Sequence, residues 1–306
     1  MINITGLTGI NSKNLVLLEK AINLKHTLKA GVVAPTHPES IIGMLDAKRA
    51  GLIEPVIIGP KNIIIQSAEN AGLDISGCEL LDTPYDDSSL RAAELAASGK
   101  LETLIKGNVK TDVFMKAALK MLKTKNRISH VLTIDVPSYH KLMIVADVGI
   151  NIYPEFNDKK DILKNTIIFS RTLGLSCPKV ALLAPVETVN EKIIETVDAA
   201  RLMDLSHEGY FGDVQMEGPL SFDLTVSREA ADMKGIKSSI AGETDIFLVP
   251  NLSAGNMMKK LLDLLAGAQS AGIVLGTKVP LVMTSRAATS QERLISCALA
   301  CLYTQR

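Results

Sequence analysis

The chain has 306 residues, with 33 Lys or Arg against 33 Asp or Glu, so its formal net charge is zero. This length allows two domains, and a neutral chain without a long basic run argues against a protein that binds nucleic-acid backbones. The sequence contains no run of about 18 apolar residues, so we expect no membrane-spanning helix and no membrane partner.

The first part of the chain alternates short apolar runs with helical patterns, which predicts βαβ units and a parallel sheet. The predicted strands are residues 31–34, 55–58, 78–82 and 103–106, and the predicted helices are 12–29, 39–50, 61–71, 88–98 and 113–125. The loop after the fourth strand begins at Gly107, and Thr111 or Asp112 is a plausible N-cap for the next helix. Its backbone N–H groups would favour an anion, although a simple helix cap explains the same pattern.

The pattern changes after Ile128, where we place a domain boundary. Residues 129–135 and 141–146 are two β-rich runs joined by a short polar segment, which predicts a hairpin. Further strands are predicted at 179–183, 213–216, 244–249 and 272–275, and helices at 158–173, 190–205, 223–233 and 253–266.

Residues 278–292 combine a predicted strand end with three polar groups that could take part in a reaction. A predicted strand, 279–283, ends in Thr284-Ser285-Arg286, and a final helix to Leu302 follows. In open α/β sheets, ligands bind outside the carboxyl ends of strands. A hydroxyl, a guanidinium and the carboxylate of Glu292 close to such an end suit a reaction that involves an anion.

Several motifs in order resemble the phosphate acetyl/butyryl transferase family. They are the segments Gly107 with Thr111-Asp112, Ala146-Asp147 with Asn151 and Pro154, Glu217–Asp223, 238–245, 248–252, Ala254-Gly255-Asn256 and Thr284-Ser285-Arg286. The butyryltransferase branch looks closer, through the segments Glu217–Asp223, Lys234-Gly235-Ile236 and Ala254-Gly255-Asn256.

The resemblance implies a fold and an assembly. The fold class is α/β, with two three-layer α/β/α domains, mainly parallel sheets and an interdomain active-site cleft, similar to isocitrate and isopropylmalate dehydrogenases. The first domain would comprise residues 1–128 and 275–306, and the second would comprise 129–274. The family also implies a homodimer.

The resemblance also implies a reaction, the reversible exchange of acyl-CoA and phosphate with acyl phosphate and CoA, by direct attack in a ternary complex. No cofactor is implied, because CoA and phosphate are substrates. The four cysteines and five histidines do not cluster, so we expect no metal site and reduced thiols in a cytoplasmic protein.

Three catalytic roles follow from this chemistry. Arg286 would bind the phosphate, and Ser285 would donate to the oxyanion of the tetrahedral intermediate. Glu292 stands seven residues after Ser285, where the acetyltransferase branch has an Asp that is taken as the thiol base. Thr289 and Glu292 also match a helix capping box, and this alternative is left open.

The substrate-binding residues implied by the family are Thr111, Asp147, Asn151, Asn256 and Lys260. Lys260 would pair with CoA or phosphoryl oxygens, although a solvated helix face is an equal alternative for it. Two other functions compete with the transferase. One is a non-catalytic acyl-CoA sensor, and the other is a dehydrogenase of similar fold that uses NAD and a metal.

Overall fold

A computed structural model of the protein describes residues 9–285 and 288–305. The chain divides into two compact units: unit 1 comprises Met1–Asn126 and Ala271–Arg306, and unit 2 comprises Arg127–Ser270. Across the described residues, no helix is long and apolar enough to cross a membrane.

Strands and helices alternate along most of the chain. The strands are β1 (Leu28–Val33), β2 (Ile53–Gly59), β3 (Glu79–Asp82), β4 (Thr103–Lys106), β5 (Ser129–Asp135), β6 (Met143–Ala146), β7 (Lys179–Leu183), β8 (Gln215–Leu220), β9 (Ile246–Leu248), β10 (Gln269–Leu275) and β11 (Leu281–Val282). The helices are α1 (Ser12–Asn23), α2 (Pro38–Arg49), α3 (Lys61–Asn70), α4 (Ser88–Ala97), α5 (Thr111–Leu122), α6 (Phe156–Thr172), α7 (Ile194–His207), α8 (Phe222–Val226), α9 (Arg228–Met233), α10 (Leu252–Leu265) and α11 (Ser290–Thr304).

Unit 1 is built on a sheet with the strand order β3-β2-β1-β4-β11-β10. Each neighbouring pair is parallel except β11 with β10. All four residues of β4 and the last four of β1 are buried, which indicates that helices cover both faces of the sheet. Helices α1 and α2 pack against α11, and α4 packs against α5.

Unit 2 has the strand order β5-β6-β9-β7-β8. Strands β5 and β6 pair antiparallel, which confirms the predicted hairpin, and the remaining neighbours pair parallel. Val145 and Phe247 lie in its buried core, against which Met258 and Leu262 of α10 are packed. The predicted α/β class with mainly parallel strands is confirmed.

Some predicted boundaries are wrong. Strand β8 extends to Leu220, so the first half of the Glu217–Asp223 motif is strand and not loop. The predicted helix 223–233 is two helices, because Ser227 is extended and caps α9 by accepting a hydrogen bond from the Ala230 backbone N. The last helix begins at Ser290, four residues after Arg286.

Candidate active site

Three adjacent parallel strands of unit 1 end at the same edge of the sheet. Val33, the last residue of β1, pairs with Lys106, the last residue of β4, and Val282 of β11 pairs with Ile105. The loops that follow these strands therefore emerge side by side. Ligands bind preferentially at such an edge of a parallel sheet.

The loop after β4 is held tightly against the end of β1. The backbone N of Gly107 donates to the Val33 carbonyl at 3.0 Å, and the backbone N of Asn108 donates to the Ala34 carbonyl at 3.0 Å. A Cβ at position 107 would lie 2.3 Å from the Val33 oxygen, so only glycine fits there. The buried Lys106 ammonium donates to the carbonyls of Gly107 and Val109 and so stabilises the loop.

Thr111 is the first residue of α5 and is exposed to solvent. The N-cap of this helix is Lys110, whose side chain makes no capping hydrogen bond. The prediction that Thr111 or Asp112 is the N-cap is therefore wrong by one or two residues. The role of Thr111 in substrate binding stays a prediction.

The segment after β11 carries Thr284 and Ser285, and a guanidinium holds both residues. Arg293 of α11 donates from Nη1 to Thr284 Oγ1 at 2.7 Å and from Nη2 to the Ser285 carbonyl at 3.1 Å. The Ser285 carbonyl also accepts from the backbone N of Ala288 at 3.1 Å. Only 3% of the Arg293 surface is exposed.

The electrostatic surroundings of Arg293 are mixed. Burial lowers the pKa of its guanidinium from its ordinary value of 12.5, and the nearby carboxylates of Glu292 and Glu39 oppose that shift. Arginine remains charged in such surroundings. Sequence reasoning missed this residue, although an Arg directly before the apolar run that begins at Leu294 was an available signal.

Glu292 forms the predicted capping box at the start of α11. Its Oε2 accepts from the Thr289 backbone N at 2.7 Å, and the Glu292 backbone N donates to Thr289 Oγ1 at 3.2 Å. The Thr289 hydroxyl contacts the same Oε2 at 3.2 Å. Since these bonds use Oε2 alone, the cap does not require Oε1.

Arg286 lies outside the described residues, so its predicted phosphate contact stays a prediction. The first turn of the following helix is already occupied by acidic groups, because Glu39 Oε2 accepts from the Ser290 backbone N at 3.0 Å. The Ser290 backbone N is therefore already paired with a carboxylate.

In unit 2, Asp147 and Asn151 lie together in the loop after β6. Asn151 Nδ2 donates to Asp147 Oδ2 at 2.6 Å and to the Ile128 carbonyl at 2.8 Å. Asp147 Oδ1 accepts from the backbone N of Gly149 at 2.8 Å and of Ile150 at 2.9 Å. These contacts give both side chains a role in shaping the loop, and their predicted contact with substrate stays a prediction.

Asn256 and Lys260 lie one turn apart on α10, which places them near the same helix face. Asn256 is half-buried and Lys260 is exposed. Asn251 caps this helix by accepting from the Ala254 backbone N at 3.0 Å. The structure brings Asn256 and Lys260 together within unit 2, and their role in binding stays a prediction.

Two cavities of unit 2 adjoin the loops that follow its parallel strands. One has about 460 Å³ and is lined by charged residues that include Lys159, Asp198 and Arg201. The other has about 530 Å³ and is lined mainly by apolar side chains such as Phe222 and Leu261. Residues of the sequence motifs at 248–252 line both cavities.

Comparisons with known proteins agree with the sequence motifs. A family model described as Phosphate acetyl/butaryl transferase matches residues 79–301. A phosphate acetyltransferase from Rhizobium meliloti is 40% identical over 279 residues, which cover 90% of this chain and 88% of that protein. A phosphate butyryltransferase from Clostridium acetobutylicum is 33% identical over 297 residues, which cover 96% of this chain and 98% of that protein.

A solved structure gives the same picture. The crystal structure of a branched-chain phosphotransacylase from Enterococcus faecalis V583 has a TM-score of 0.78 and 27% sequence identity, and it covers 92% of this chain and 100% of that chain. Because relatives of both names match over most of the chain, the leaning toward the butyryl branch stays a prediction.

Proposed function

The chain belongs to the phosphate acetyl/butyryl transferase family, and we propose that it catalyses the reversible conversion of acyl-CoA and phosphate into acyl phosphate and CoA. One observation carries this proposal: the Arg293 guanidinium binds Thr284 and Ser285 at the carboxyl end of β11. That segment is one of the family motifs and adjoins the loop that begins at Gly107, another of them.

In the proposed mechanism the two substrates react directly in a ternary complex. The CoA sulfur attacks the carbonyl carbon of the acyl phosphate, and the C–S bond forms as a tetrahedral oxyanion develops. Collapse of this intermediate breaks the C–O bond to phosphate and releases acyl-CoA. Much of the rate comes from holding both substrates together, with the sulfur oriented toward the carbonyl carbon.

Each predicted catalytic residue has one task in this sequence. Ser285 donates a hydrogen bond to the oxyanion, and Arg286 neutralises the phosphate. Glu292 accepts the thiol proton, since an ordinary thiol has a pKa of about 8.5 and needs a base. Oε1 of Glu292 can do this while Oε2 keeps the helix cap, so the two roles are compatible.

The substrate-binding roles of Thr111, Asp147, Asn151, Asn256 and Lys260 are part of the same proposal. The buried Asp147–Asn151 pair would shape its loop, and the ammonium of Lys260 would meet CoA or phosphoryl oxygens. The reaction as written needs no cofactor. Either an acetyl or a butyryl group fits this chemistry.

We also propose a homodimer in the cytoplasm. Helix α10 exposes Met257, Leu261, Leu264 and Leu265, the last two to 81% and 80%. Contiguous apolar side chains of this size usually mark an interface, and a second copy of the chain is the partner proposed. All four cysteines are free thiols, which is usual for a reducing compartment.

The test is thioester formation by the purified chain, followed by absorbance with CoA and either acetyl phosphate or butyryl phosphate. The proposal expects turnover of at least one, and the preferred acyl phosphate identifies the acyl chain. Binding of acyl-CoA without turnover would favour the sensor. Reduction of NAD with a hydroxy acid in place of acyl transfer would favour the dehydrogenase.

A further inference from the structure

Arg293 lies outside the predicted catalytic set and makes two direct hydrogen bonds to Thr284 and Ser285. Its two terminal nitrogens bind a side-chain oxygen and a backbone oxygen of consecutive residues, Thr284 and Ser285. The guanidinium is a rigid planar fork, so these two bonds fix the relative orientation of the two residues. The bond to Ser285 uses its backbone carbonyl and not its hydroxyl.

The position of Arg293 is itself fixed by close packing between α2 and α11. A Cβ at Gly43 of α2 would lie 2.8 Å from Arg293 Cβ and 3.0 Å from its Cδ, so the missing side chain lets the arginine stem pass. Glu39 of the same helix accepts from the Ser290 backbone N at 3.0 Å and anchors the first turn of α11. Helix α2 therefore fixes the base of the arginine, and the arginine fixes Thr284 and Ser285.

We propose that Arg293 is a positioning residue for acyl transfer, which sets the direction of the Ser285 hydroxyl through its bonds to Thr284 and the Ser285 carbonyl. This inference rests on the proposed function. In the proposed mechanism Arg293 touches no reacting atom. A donor aimed at an oxyanion acts mainly in the transition state, so loss of its position lowers kcat more than it raises KM.

Lysine cannot replace the guanidinium in this role. Its ammonium is a point donor on a flexible stem and does not hold two acceptors in a planar fork. We therefore expect Arg293→Lys to keep the buried charge and the fold but to lower kcat by about 10-fold or more, since small misplacements of a catalytic group can cost about 100-fold. KM for CoA should change by less than about twofold.

The experiment measures kcat and both KM values for the whole chain and for Arg293→Lys, Thr284→Val and the double variant. Thr284→Val removes the acceptor of one fork bond and keeps the side-chain shape. If the arginine acts through Thr284, the two effects on kcat are not additive, and the double variant resembles Arg293→Lys alone. Gly43→Ala displaces the arginine stem without changing the guanidinium, and it should lower kcat as Arg293→Lys does.

Cys301→Ala is the matched control. Cys301 is buried in the same helix and its Sγ lies 3.2 Å from the Leu52 carbonyl, far along the chain from Thr284. This variant should lose stability and keep kcat. If Arg293→Lys fails to fold, Thr284→Val and Gly43→Ala decide the question by their kcat values.

The outcomes separate this inference from the proposed function. If Arg293→Lys and Thr284→Val both keep kcat within about twofold of the wild-type value, the positioning role is overturned and the proposed function is not. A kcat loss that appears equally in Cys301→Ala also overturns it, because the effect would then follow stability. A wild-type chain without acyl transfer overturns the proposed function and this inference with it.

Discussion

Asn151 donates a hydrogen bond to Asp147 at 2.6 Å, and only 6% and 3% of their respective surfaces are exposed. The carboxylate of Asp147 also accepts from the backbone N of His130 at 3.1 Å, in addition to Gly149 and Ile150. All four partners are donors. The loop after β6 is therefore built around one buried negative group.

We expect Asp147→Asn to destabilise the protein by about 2–3 kcal/mol, because one amide NH2 must then face buried donors and leave them unpaired. Unfolding in urea, followed by circular dichroism, measures the loss. Asp232→Asn, on an exposed surface, is the control and should change stability by less than about 0.5 kcal/mol. Equal effects in the two variants would contradict the structural role of the pair.

Glu292→Gln separates the two roles of this residue. Glutamine keeps an oxygen for the Thr289 backbone N and so keeps the cap, but it cannot accept a thiol proton. If Glu292 is the base, kcat falls by about 100-fold or more while the melting temperature stays near that of the wild type.

Thr289→Ala is the complementary control for Glu292. It removes the other half of the cap and should cost about 0.5–2 kcal/mol of stability with little change in kcat. A Glu292→Gln variant with wild-type kcat would leave Glu292 as a helix cap only.

Arg286→Ala should mainly raise KM for phosphate and acyl phosphate, because a charge-assisted hydrogen bond to the phosphoryl group is lost. Steady-state kinetics in both directions measure the effect, and KM for CoA serves as the internal control. Arg286→Lys should recover part of the loss, since it restores the charge without the fork. Wild-type kinetics of Arg286→Ala for both phosphate substrates would remove this assignment.

Local sequence patterns account for what was predicted correctly. The βαβ alternation, the hairpin at β5 and β6 and the Thr289–Glu292 capping box each depend on residues close together in sequence. The position of Thr284 and Ser285 after a strand was predicted from the short apolar run at 279–283, and the structure has β11 there. These features need no knowledge of distant contacts.

The contacts of Arg293 could not be read from the sequence, because they depend on how closely α11 approaches α2 at Gly43. The burial of Lys106 depends likewise on the loop folding back over the end of β1. A third case is the contact of Lys234 with Glu187, 47 residues away. Packing between distant segments decides each of them.

Lys234 connects two of the sequence motifs, Lys234-Gly235-Ile236 and Glu217–Asp223. Its Nζ lies 3.0 Å from Glu187 Oε1, 3.0 Å from Asp223 Oδ2 and 3.1 Å from Ser221 Oγ. The Ser221 hydroxyl also contacts both carboxylates. The hydrogen bonds of Ser221 and then of Lys234 lower the pKa of Asp223 and of Glu187, and the carboxylates raise the pKa of Lys234.

These shifts define the pH range in which the cluster stabilises the fold. The lowered pKa values of the two carboxyls stabilise the folded protein at pH values above the ordinary pKa, 3.8 for Asp and 4.5 for Glu, and this stabilisation is lost as the pH falls. The raised pKa of Lys234 stabilises the folded protein below pH 10.5, and this stabilisation is lost at higher pH. Lys234→Met should therefore lower the melting temperature at about pH 7, and the difference from the wild type should shrink toward about pH 3. Lys237→Met, also exposed, is the control, and a difference that persists in acid would contradict the electrostatic account.

The exposed apolar face of α10 makes a last prediction about assembly. Leu261 and Leu265 lie one turn apart on this face, 57% and 80% exposed. Burial of such side chains against a second copy would contribute about 1.5–3 kcal/mol each, so Leu261→Glu with Leu265→Glu should convert a dimer into a monomer with the same secondary structure. Light scattering after gel filtration gives the mass.

Met233→Glu is the matched control, because Met233 is 77% exposed on a different helix and its replacement should leave the mass unchanged. An unchanged dimer in the double variant would place the interface elsewhere, and a monomeric wild type would remove the dimer from the proposal.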